Sequence, residues 1–116
     1  MKKIFLITSI VAASFSFSPA SHAENSLSLR VCEYISVNDN KRLRKVIKQN
    51  RLKIRSIYGD IQCNGMNILE FAATSNALDV GEMLIKKLQV AAVSDNLATI
   101  TKYSAHLTAI AKKRIG

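Results

Sequence analysis

The chain has no tryptophan, one proline, four glycines, two cysteines and only 8 acidic residues against 17 Lys and Arg in 116 residues. Each shortage excludes something. So little Pro and Gly rules out collagen-like and low-complexity architectures and leaves no flexible linker between domains. Gly59, Gly65 and Gly81 are too dispersed to form a phosphate-cradling loop. Two cysteines cannot make a cysteine-dense scaffold, and they are not arranged as C-x-x-C. With aromatics at 6%, a stacking platform for single-stranded nucleic acid is missing, and no specific nucleic-acid recognition is expected. The length suits one domain, and 48% hydrophobic residues set the chain apart from a disordered tail.

The N-terminus reads as an address. Lys2 and Lys3 precede an uncharged, largely apolar stretch from Ile4 to Phe17, and Ser21-His22-Ala23 puts small residues at the −3 and −1 positions of a cleavage site. This is the pattern of a bacterial secretory signal peptide cut after Ala23, which predicts a periplasmic or secreted protein. The alternative is a membrane anchor, which needs about 20 predominantly apolar residues; serines and Pro19 dilute the second half of this stretch. Glu24 rather than Cys follows the cut, against a lipoprotein. Residues 24–116 then form a single helical domain carrying 15 basic and 8 acidic groups. A domain this small buries only a little over ~60% of its unfolded surface, so a covalent staple would help. Cys32 and Cys63 are the only cysteines, and an even count in an exported chain predicts a disulfide between them. Two buried free thiols are the alternative.

Helical periodicity dominates the remainder. Leu27, Val31, Tyr34 and Ile35 share one face of a helix over about 27–37. Asn38-Asp39-Asn40 is a turn, and Asn38 or Asp39 caps the next helix. That helix, about 40–49, has Leu43, Val46 and Ile47 as its buried stripe. If it ran on, Leu52 would lie among charges, so a break is expected near Asn50, which tolerates the left-handed conformation that ends helices. A short helix follows over about 52–59. Asn64-Gly65 is a turn, Asn67 caps a helix bearing Ile68, Leu69, Phe71, Ala72 and Ala73, and Ser75-Asn76 ends it. A helix over about 77–88 carries Val80, Met83, Leu84 and Ile85. Ser94 or Asp95 caps a last helix over about 96–114, loosely docked behind a flexible connection at Gln89–Ser94. Val90–Val93 is the only β-like run and is too short for a sheet. The expected fold is all-α, a bundle of about five helices, with 29–88 as its core and 95–114 as a C-terminal helix.

Charge is concentrated. Lys41, Arg42, Arg44, Lys45, Lys48, Arg51, Lys53 and Arg55 fall within residues 41–55 with no acid among them. On a helical wheel they lie opposite Leu43, Val46, Ile47 and Ile54. A surface of like charges attracts anions, and Arg and Lys both bind phosphate. In a bacterial envelope the candidates are an acidic protein or anionic phospholipid and lipopolysaccharide surfaces. The bland alternative is a solvated face that keeps the protein soluble.

Two resemblances can be placed on residues. Gly65-Met66-Asn67-Ile68-Leu69-Glu70-Phe71-Ala72-Ala73 resembles the ankyrin pattern G-x-T-P-L-H-x-A-A, with Asn67 and Ile68 in place of Thr and Pro. Leu29 and Cys32 precede Leu69 and Ala72 by forty residues, longer than the ~33-residue ankyrin period, so convergence on a helix-pair geometry is the better account. The second resemblance spans about residues 29–88. Cys32 in a first helix, the Asn/Asp turn, a basic helix, and Cys63-Asn64-Gly65 followed by Ile68, Phe71 and Ala72 are similar to a domain-of-unknown-function family of small exported bacterial proteins. It implies an exported helical domain with paired cysteines and no catalytic residues to carry over.

No catalytic constellation stands out. His106 is the only histidine beyond the signal-like segment and reads as a partly exposed helix residue. Asp79 and Glu82 lie near Lys86 and read as surface ion pairing. The expectation is a protein that is not an enzyme, with no metal and no cofactor.

Overall fold

The computed structural model describes the backbone of residues 19–116 and the side chains from residue 26 onward. The expected signal peptide lies outside the described residues up to residue 18. Eight helices and one small hairpin are found among the described residues. They are α1 (Pro19–Ser36), α2 (Asn40–Gln49), α3 (Ile54–Asp60), β1 (Gln62–Cys63), β2 (Met66–Asn67), α4 (Ile68–Thr74), α5 (Leu78–Lys87), α6 (Val90–Asp95), α7 (Leu97–Tyr103) and α8 (Ala105–Ile115). The fold is mostly helical, as expected, but the count of about five helices is too low.

One device ends three of the helices. Asn38, Arg51 and Asn76 adopt left-handed backbone with φ of 59°, 54° and 57°. The next residue's N–H then reaches back to a carbonyl five positions earlier: Asp39 to Tyr34, Leu52 to Ile47, and Ala77 to Ala72. This closure satisfies helix carbonyls that would otherwise lack a donor. The break after α2 falls where expected, but Arg51 rather than Asn50 takes the left-handed conformation; Asn50 has φ of −95° and instead bonds the Val46 carbonyl with its side chain. The stretch 40–59 is therefore two helices.

Two of the expected start signals hold, at Asp39 and Asn67; Ser94 and Asp95, expected to cap the last helix, instead lie inside α6, and α7 begins after Asn96 with no side-chain cap. Asp39 Oδ1 accepts the Arg42 N–H at 3.0 Å and caps α2. Asn67 and Glu70 form a reciprocal capping box on α4. Asn38 does something the sequence did not suggest. Its Oδ1 accepts the N–H groups of Asp79 and Val80 at 2.9 and 3.1 Å, capping α5 from the α1–α2 turn.

A hairpin precedes α4. Gln62 pairs with Asn67 and Cys63 with Met66, antiparallel. Asn64 and Gly65, at φ of 54° and 77°, make the two-residue turn, a conformation that favours this residue pair. Cys63 is thereby presented to α1, and the Cys32–Cys63 disulfide joins the two, with a Cα–Cα distance of 5.6 Å.

The C-terminal third departs most from expectation. Val90–Val93 is helical, with Val93 fully buried; packing overrides the β preference of its branched residues. The single helix expected over 95–114 is two, α7 and α8. Ser104, buried, extends its backbone and accepts the Leu107 N–H at 3.1 Å, so the serine caps a new helix rather than continuing the old one. Nor is this region loosely docked. Ile100, Leu107 and Ala111 are fully buried in the same core as Leu69 and Leu84. Arg114 donates to the carbonyls of Ile85 and Leu88 at 3.2 and 3.1 Å, closing the end of α5. At Gly81 α5 and α8 approach closely: a Cβ would lie 2.5 Å from Leu107 Cδ1, so a larger residue requires the buried leucine to shift.

Candidate functional site

Burying Leu43, Val46 and Ile47 against α1 and α5 fixes how α2 is rotated. With its apolar stripe turned inward, Lys41, Arg42, Arg44, Lys45 and Lys48 are all exposed, and so are Arg51, Lys53 and Arg55 beyond it. Among the described residues only Arg42 of these eight has a carboxylate partner, Asp39 at 3.4 Å. None of the other seven pairs with a carboxylate among the described residues, and a surface of unpaired like charges draws anions.

The structure does not keep the eight cations together. Lys41, Arg44, Lys45 and Lys48 converge on one groove between α2, α5 and the segment that follows Arg51. Lys87, from the last turn of α5, joins them from the opposite wall. The floor is apolar: Ile47, Leu52, Ile54 and Met83. Its volume is about 610 Å³, within the ~300–1,000 Å³ of small-molecule sites. Arg51, Lys53 and Arg55 do not line it, and Arg42 and Lys45 border a separate cleft with Arg30 and Tyr34.

The acids nearby are partly engaged. Asp79 and Glu82 border an adjoining cleft that Arg44 and Lys87 also touch. Glu82 accepts from Lys86 Nζ at 2.9 Å, and that ammonium holds its carboxyl below the usual carboxylate range. Asp79 Oδ2 accepts from Asn38 at 3.3 Å rather than pairing with Lys86. Lys41, Lys45 and Lys48 line the groove but not that cleft.

Lys87 and Met83 were not legible as site residues. Nothing local marks them; they enter because α5 packs across α2, some forty residues away in sequence. On the α2 wheel Leu52 is only a misfit among charges. Released by the Arg51 turn, it becomes part of the groove floor.

Other candidate chemistry is dispersed. His106 is exposed on α8, 3.8 Å from Glu82. Among the described residues no group of three His, Cys, Asp or Glu is placed to hold a metal ion, and no helix is long and apolar enough to cross a membrane. The most buried polar side chain with a network is Asn96. It accepts from Asn67 at 2.9 Å and donates to the Tyr58 hydroxyl at 2.8 Å and the Ala92 carbonyl at 2.7 Å. Every partner is supplied from within the fold, which marks the network as structural.

Fold and groove together define a small, disulfide-joined helical domain with a cationic face. The chain belongs to the DUF3718 family, proteins of unknown function, whose profile matches residues 31–98. The match takes in both cysteines and every residue that lines the groove. No curated protein and no solved structure matches the chain.

Proposed function

We propose that this is a non-catalytic exported protein that binds an anionic partner through the cationic face of α2. The observation that carries the proposal is the convergence of Lys41, Arg44, Lys45 and Lys48 on one groove, with no carboxylate partner for any of them among the described residues. Export rests on the Lys2/Lys3 start and the Ser21-His22-Ala23 site; Glu24 as the N-terminus of protein recovered from the periplasm or medium would support it, and an intact Met1 in the membrane fraction would refute it. The ankyrin-like spelling of residues 65–85 is a likeness of geometry only: the turn at Asn64-Gly65, α4, the Asn76 turn and α5 form a helix pair.

The apolar floor of the groove favours the membrane-surface version, in which the anion is a lipid or lipopolysaccharide phosphate, over an acidic protein. The test is co-sedimentation with vesicles containing phosphatidylglycerol. Wild type should bind at low salt and release beyond about 0.15 M, where the Debye length is ~8 Å. Changing Lys41, Lys45 and Lys48 together to Gln should remove the binding and leave the fold intact. A triple variant that binds like wild type at every ionic strength overturns the proposal.

A further inference from the structure

We infer that the groove between α2 and α5 takes one anionic amphiphile, a single-chain lipid carrying a phosphate headgroup. The inference rests on the proposed anion-binding reading and gives its site a ligand. A site for free phosphate needs cations and backbone donors but no apolar floor. A site for a neutral chain needs the floor but gains nothing from five converging cations. This groove has both, arranged as a floor of Ile47, Leu52, Ile54 and Met83 beneath a cationic rim.

Charge complementarity selects the headgroup. Arg44 offers a planar two-pronged donor suited to phosphate oxygens, and the lysines add point charges that can follow a headgroup of variable shape. Lys87 closes the rim from α5, so the headgroup would be held from two helices rather than laid on one. The chain would cover apolar surface that the fold leaves open: Leu52 and Ile54 are only half-buried, although both adjoin the core. A volume of about 610 Å³ falls within the size of sites that hold one small molecule.

The experiment titrates the full soluble protein with three probes by calorimetry. They are dodecyl phosphate below its micelle concentration, inorganic phosphate, and dodecyl maltoside as an uncharged chain. Dodecyl phosphate should bind at least about tenfold more tightly than either of the others, because burial of the chain adds to the ionic contact. Lys87→Gln, an exposed substitution that leaves α2 untouched, should weaken dodecyl phosphate several-fold. Ile54→Ser should weaken it while leaving inorganic phosphate unchanged. If dodecyl phosphate binds no better than inorganic phosphate, or if Lys87→Gln has no effect, the groove is not an amphiphile site. Persistent vesicle binding in that case would leave the cationic-face proposal standing while this inference falls. An acidic helical peptide that bound in the same titration more tightly than dodecyl phosphate, and was competed by it, would also overturn it, by making the groove a protein site.

Discussion

Helices α2 and α4 solve opposite packing problems within one small domain. In α4, Ile68, Leu69, Phe71, Ala72 and Ala73 are all buried, because α1, α3, α5 and α7 surround it. Its single charged residue, Glu70, is held in the capping box. In α2 only Leu43, Val46 and Ile47 are buried, against α1 and α5, and five of its ten residues are cations. The fold dictates nearly every residue of α4 and only a narrow stripe of α2. What occupies the rest of α2 is therefore informative about something other than folding.

Removing packing from the surrounded helix should have the largest effect. Leu69→Ala leaves a cavity that cannot collapse, since Leu69 is fully buried. Urea denaturation should show a loss of about 4 kcal/mol, toward the upper end for such truncations. A loss below about 1 kcal/mol would mean that α4 is not the rigid centre described. The next largest effect concerns the staple that fixes α1 to the hairpin leading into α4. Cys32→Ser opens a link with sequence separation 31 and should lower stability by about 3 kcal/mol. Denatured, unreduced wild type should take up no thiol label, and labelling of two thiols per chain would show the link to be absent.

The same contrast explains what could be read from the residues before the structure. The α4 segment was legible because each signal is local: Asn64-Gly65 for the turn, Asn67 for the cap, an apolar run, then Ser75-Asn76 for the stop. The α2 stripe and its cationic face were legible for the same reason. The C-terminal third was not. Ile100 and Leu107, seven apart, imitate one continuous helix, and only burial of Ser104 turns that residue into a cap. The groove was half legible. Its cations are adjacent in sequence, but its opposite wall depends on α5 crossing α2. The capping of α5 by Asn38 depends on the same long-range placement.

The end of α2 offers a smaller and opposite effect. Arg51 holds φ of 54°, a conformation that costs a non-glycine residue roughly 1–2 kcal/mol. Glycine would relieve that strain but adds freedom to the unfolded chain, at a cost of about 0.5–1 kcal/mol. Arg51→Gly should therefore raise stability by up to about 1.5 kcal/mol in urea denaturation. A destabilised variant would show that the arginine side chain makes a stabilising contribution large enough to outweigh the turn.

The smallest effect tests whether the cationic face is itself a burden. Lys41 and Lys45 are four apart on α2, as are Arg44 and Lys48, and like charges at that spacing destabilise a helix by about 0.2–0.5 kcal/mol per pair. Lys45 also has Arg42 and Lys48 three residues away on either side. Its substitution thus removes more repulsion than any other single change on the helix. Lys45→Gln should be stabilising by about 0.2–0.5 kcal/mol at low ionic strength. The gain should vanish near 1 M salt, where the Debye length is about 3 Å. The burial of Leu43, Val46 and Ile47 is unaffected, so no packing change can account for that salt dependence. Such a gain would show that the cations of this face, of which only Arg42 has a carboxylate partner among the described residues, cost the fold stability rather than add to it. If Lys45→Gln is instead destabilising at low salt, the lysine is held by an interaction within the fold, and the contrast between a helix fixed by packing and a helix free to carry charge loses its basis.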